Sequence, residues 1–132
     1  MSSCNGVIVP TEITINSNGE SNSVVGGISF YSDYSQINIK YDSVDLELKA
    51  FDNTITFTSK GEANYTMTLV KGMASDFIIK SLGYEIFANA ELISYKNVKQ
   101  KNMQELSINY KLTYNNTESV IQNIDIVCIF DI

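Results

Sequence analysis

Apolar and polar residues take turns along most of this chain, and a period of two admits few folds. Successive side chains of a strand point to opposite faces of its sheet, so strict alternation means one oily and one wet face. Ile37, Ile39 and Tyr41 alternate with Gln36, Asn38 and Lys40. Leu46, Leu48 and Ala50 stand against Asp45, Glu47 and Lys49, and Ile55 and Phe57 against Thr54, Thr56 and Thr58. Tyr65, Met67 and Leu69 alternate with Asn64, Thr66 and Thr68. Leu106, Ile108, Tyr110, Leu112 and Tyr114 alternate with Ser107, Asn109, Lys111 and Thr113. Ile124, Ile126, Cys128 and Phe130 share one parity, while Val127 and Ile129 put apolar side chains on the other.

Turn signals punctuate these runs. Asp52-Asn53 reads as a two-residue hairpin turn, and Ser17-Asn18-Gly19-Glu20 as a turn between VIVPTEITI and SVVGGISFY. Gly26-Gly27 sits where a strand would bulge or bend. The pattern is least regular from Val7 to Tyr31 and from Ala74 to Val98. Lys96 to Glu105 is the most polar stretch and predicts a solvated loop or a short helical turn. No segment carries a sustained helical stripe. Turns recurring roughly every 8–12 residues match an all-β sandwich or barrel.

Strand length chooses between those two. Leu106 to Tyr114 would span about 30 Å at ~3.3 Å per residue, and long strands in an open sheet leave sticky edges. Closure removes the edges. The sequence therefore predicts one all-β domain over residues 1–132, a closed or nearly closed antiparallel up-and-down β-barrel of about eight strands. A sandwich is the alternative.

Composition narrows function more than it names it. The chain has 132 residues, 44% of them hydrophobic, enough for one core without staples. Its net charge is −6, and all nine cations are Lys. An acidic chain without Arg is poorly suited to nucleic acid, whose binding depends on neutralising phosphates. Absence of His removes imidazole bases, Ser-His and Cys-His nucleophiles, and His-ligated metals. No catalytic constellation stands out, and no cofactor is implied. Asp42, Asp45 and Glu47 form an acidic group, but the last two alternate with leucines as a solvated face would, so no metal site is expected. Cys128, in the apolar run IDIVCIF, reads as a buried inert thiol. MSSCNGVIVP lacks the pattern of an export signal, and no apolar run reaches the ~18 residues of a membrane helix. The expectation is a cytoplasmic protein without a membrane partner.

The run SKGEANYTMTLVKG from Ser59 to Gly72, followed by SLGYEIF from Ser81 to Phe87, resembles the YwiB-like family of uncharacterised bacterial proteins. Ser107-Ile108-Asn109-Tyr110, Leu112 and Asn123-Ile124-Asp125-Ile126 look like that family's closing strands. The similarity covers Leu46 to the C-terminus; the first ~40 residues share only β character. It departs at Ser59, where the family tends to carry Arg, and at Ile79-Lys80-Ser81-Leu82, where a Tyr-Thr pair is usual. The resemblance implies a lipocalin-like, calycin-type barrel and the calycin habit of holding small apolar ligands. It transfers no catalytic residues.

The tyrosines bear on a ligand independently. Tyr41, Tyr65, Tyr110 and Tyr114 all lie on the apolar parity of their strands. A buried phenol needs a hydrogen-bond partner, and Phe would serve a solid core more simply. Inward tyrosines therefore mark a barrel mouth, an internal water network or a cavity with a polar handle; closing a barrel end with the hydroxyls in water is the plain structural reading. The expected lining is Tyr41, Phe57, Tyr65, Met67, Tyr110 and Leu112, around a small apolar or amphipathic ligand. The alternative is a structural or interaction module acting through its outer surface or by self-association, favoured by the doubly apolar IVCIF end; a homo-oligomer is left open.

Overall fold

The computed structural model describes residues 7–41, 43–115 and 118–131. Ten strands account for nearly all of them: β1 (Val9–Ser17), β2 (Glu20–Phe30), β3 (Ser35–Tyr41), β4 (Val44–Ala50), β5 (Thr54–Gly61), β6 (Tyr65–Val70), β7 (Ala74–Ser81), β8 (Tyr84–Gln100), β9 (Met103–Tyr114) and β10 (Glu118–Phe130). They form one antiparallel sheet in the order β6-β5-β4-β3-β2-β1-β10-β9-β8-β7. Every pairing but one joins consecutive strands. The exception is β1 with β10, which brings Thr11 opposite Phe130.

The two edges of this sheet belong to β6 and β7, which also follow one another in the chain. They curl together and are joined by backbone hydrogen bonds at two places. Asn64 and Lys80 exchange two backbone hydrogen bonds of 2.9 Å, and the Met73 amide donates to the Val70 carbonyl at 3.1 Å. Between these points the described residues form no β6–β7 ladder. The result is a nearly closed up-and-down barrel, as the alternation predicted.

Ten strands, not about eight, make the wall. The two irregular stretches of sequence each fold into a hairpin, β1–β2 and β7–β8. Gly26-Gly27 breaks the alternation in the first. In the second, Ile78 and Phe87 lie opposite one another with both side chains exposed, which blurs the inside–outside code. A bulge between Leu92 and Ser94 also resets the inward parity of β8: Ala88, Ala90 and Leu92 precede it, and Tyr95 and Asn97 follow it.

The polar stretch from Lys96 to Glu105 is likewise strand, not loop: β8 runs to Gln100, β9 starts at Met103, and Lys101-Asn102 is the turn. Asn97 and Gln104 make it look solvated, yet Gln104 is fully buried and donates a 2.8 Å hydrogen bond to Asn97 Oδ1. That bond offsets part of the cost of burying the amide, whose oxygen has no hydrogen-bond partner.

Inward side chains supply the core. Ile13, Ile28, Ile37, Leu48, Ile55, Leu69 and Leu106 are fully buried, each contributing about 1.5–3 kcal/mol by removal from water. Cys128 is buried among them as a free thiol, and burial pushes its pKa up to about 12. Cys4 lies outside the described residues.

Candidate ligand-binding mouth

The barrel's two ends differ. At the end holding the termini of β1 and β10, inward positions are sealed: Ser35, Ala50, Ile55, Leu69 and Gln104 are all fully buried. Phe30 and Phe130 pack there at a tilt of 60° with centroids 5.2 Å apart, and Tyr95 and Asn97 both donate to the Phe51 carbonyl, at 2.7 and 3.3 Å. At the opposite end, inward residues reach solvent. Tyr65, Ile79, Ile86, Tyr114 and Gln122 are half-buried there, and Val120 is exposed. This is a mouth.

Alternation puts the tyrosines in it. Tyr65 opens β6, directly opposite Ser59 of β5, and Tyr110 stands opposite Gln122 of β10. Tyr65 packs its ring 5.9 Å from Phe77 of β7. Burial raises the phenol pKa of Tyr65, and the nearby Tyr114 raises it further. Tyr110 is raised by burial first, then by Tyr65 and Tyr114. Three phenols thus share one poorly hydrated corner. At neutral pH Tyr65 and Tyr110 are protonated hydrogen-bonding groups, not bases.

Of the expected lining, Phe57 and Met67 are buried and face each other across β5–β6, with Tyr65 the next inward residue on β6. Tyr110 and Leu112 are buried neighbours on the inner face of β9. Tyr41 ends β3, but its side chain lies outside the described residues. Asp42 is also outside them, and among the described residues no three His, Cys, Asp or Glu side chains gather as a metal site would require. Sequence reasoning missed Ser59, Phe77, Val120 and Gln122. The alternation held the signal for Val120 and Gln122, but outward Ile121, half exposed, disguised the parity.

Beside the mouth the wall parts. The β2–β3 ladder ends at Gly27 and Asn38, leaving the rest of β2 with β1 alone. Gly26 makes this crossing, because a Cβ there would collide with the Asn38 carbonyl oxygen and with Ile13 Cδ1. The gap opens a cleft of about 400 Å³ reaching inward Ile39 and Leu46, with outward Lys40, Asp45, Glu47 and Lys60 on its rim. Ile39, Leu46, Ser59 and Tyr65 oppose one another in turn across β3 to β6. One inward row therefore joins the cleft to the tyrosines.

The crystal structure of the YwiB protein from Bacillus subtilis is similar to this barrel, with a TM-score of 0.77 over 95% of this chain and 94% of that one, at 13% identity. The fold is YwiB-like. At that identity the likeness extends to the fold alone. No family model and no curated protein matches the chain. The YwiB-like fold accounts for the wall; the mouth is read from this chain's own residues.

Proposed function

We propose that this barrel is a binding module that takes a small apolar or amphipathic molecule end-on into the tyrosine-lined mouth. The carrying observation is the asymmetry of the two ends. One is sealed by aromatic rings and by the hydrogen bonds of Tyr95, Asn97 and Gln104; the other leaves inward apolar and phenolic groups in reach of solvent. Concave apolar surface with a few converging polar groups is the usual form of a small-molecule site. Titration with the uncharged dye Nile red, followed by amide NMR, tests the role. Shifts centred on Tyr65, Met67, Tyr110 and Leu112 are expected. Shifts confined to the outer wall would reject it.

A second role, through the outer surface, is favoured by one strip. Val25, Glu12 and Ile129 oppose one another across β2, β1 and β10, and Val25 and Ile129 are 79% and 52% exposed. Apolar side chains grouped on an outer face suit a protein contact. Sedimentation of the concentrated protein beside Val25→Lys tests it: self-association lost in the variant supports this role, and a monomer in both excludes self-association.

A further inference from the structure

We propose that the mouth selects an amphiphile with an uncharged head, an alcohol, ketone or amide on an aliphatic tail, and discriminates against the carboxylate of the same length. This deepens the binding role proposed above and rests on it.

The inward-facing polar groups carry the argument. Among the described residues they include the phenols of Tyr65, Tyr110 and Tyr114, the Ser59 hydroxyl, which donates to the Ala63 carbonyl at 2.8 Å, and the Gln122 amide, whose oxygen accepts from Asn18 at 2.6 Å; every one of them is neutral. Lysines near this end, Lys40, Lys60 and Lys80, stand on the outward parity of their strands, where Lys40 and Lys80 pair with Asp45 and Glu85 at 3.9 Å. Among the described residues, the charged ones on the inward parity of the strands at this end are Glu20, opposite Ser17, and Glu118, opposite Tyr114; both are exposed at the rim. An entering carboxylate meets two like charges at the rim of a chain already at −6. Further in, among the described residues, it finds phenol and amide donors but no cation.

A neutral head pays neither penalty. Phenol and amide donate to it and accept from it, and hydrogen bonds between neutral groups satisfy both sides. A cationic head gains from the rim acids and the aromatic faces. Those carboxylates sit in water, however, and following the tail inward would strip the cation of hydration without a counter-charge. The burial around Tyr65 and Tyr110 disfavours either sign of charge.

Displacement of Nile red at pH 8 by decanol, decanoate and decyltrimethylammonium, all below their aggregation concentrations, measures the preference. Decanol is expected to displace the dye at a concentration at least ~10-fold below the other two, and Tyr65→Phe with Tyr110→Phe is expected to narrow that gap. Decanoate binding as well as decanol overturns the inference. If that binding weakens in Lys40→Met with Lys60→Met, the head sits in the side cleft. Tightest binding by the ammonium overturns it in favour of an aromatic cage. Failure of the dye and all three competitors to bind defeats the binding role itself and takes this inference with it, a result distinct from a changed order.

Discussion

The Tyr95 hydroxyl donates a 2.7 Å hydrogen bond to the Phe51 carbonyl, forty-four residues earlier in the chain. Tyr95 lies on β8 and Phe51 follows β4, strands far apart in the sheet order, so the bond crosses the barrel's closed end. It ties the two flanks of the wall where no ladder joins them. Asn97 shares the same carbonyl, and Gln104 holds Asn97.

Removing that hydroxyl leaves Phe51 with the longer bond from Asn97 alone. Tyr95→Phe is expected to cost about 0.5–1.5 kcal/mol, the usual net worth of such a bond. Urea denaturation measures it. Unchanged stability would mean that Asn97 or solvent takes over completely.

Gly26 and Gly27 are adjacent, but their surroundings differ. A Cβ on Gly26 meets backbone, the Asn38 carbonyl, whereas one on Gly27 meets Cγ2 of Ile8, a side chain outside the strands that can move aside. Overpacking against a fixed wall typically costs about 1–3 kcal/mol. Gly26→Ala is therefore expected to destabilise by that amount and Gly27→Ala by clearly less. Equal costs would show that β2 does not pivot at Gly26. Thermal melts of both variants decide it.

High pH should weaken the barrel. Tyr65, Tyr95 and Tyr110 have native pKa values above the ordinary 10.0, and Cys128 rises from 9.0 to about 12, in each case chiefly through burial. A raised native pKa means that the unfolded chain loses its proton first. The stabilising contribution is thus complete below the unfolded pKa and drains away as pH climbs toward the native one. Stability is expected to be flat from pH 7 to about 8.5 and to fall steadily above it. Tyr110→Phe should have a shallower decline above pH 10. Denaturation midpoints across that range test the sign, and a rise with pH would contradict the burial of these groups.

Much of this architecture is legible in the alternation. Phe57, Met67, Tyr110 and Leu112 are inside, as their parity requires. What escaped has two physical causes. A polar residue facing inward beside its own partner, as Gln104 does with Asn97, cannot be told from a solvated one by periodicity. An apolar residue facing outward, such as Ile78, Phe87 or Ile121, hides the strand it belongs to. The bulge before Ser94 adds a third obstacle, since one extra residue exchanges inside for outside. The mouth needed both kinds of information: parity turns the tyrosines inward, but only the fold shows which end is open.

The gap between β6 and β7 carries the last expectation. Their facing edges are bonded at Asn64–Lys80 and at Val70–Met73, with no ladder between. A groove of about 640 Å³ lies along it, lined in part by Thr66, Phe77, Ile78 and Phe87. Local opening free energies follow the hydrogen bonds and contacts that must break, so a strand paired on one side opens before one paired on both. Amide hydrogen exchange should therefore be fastest, among the strands, in β6 and β7, and slowest in β9, which is paired along its length with β8 and β10. If the amides of β6 and β7 are instead protected as well as those of β9, the two edges are bonded in solution and the barrel is fully closed.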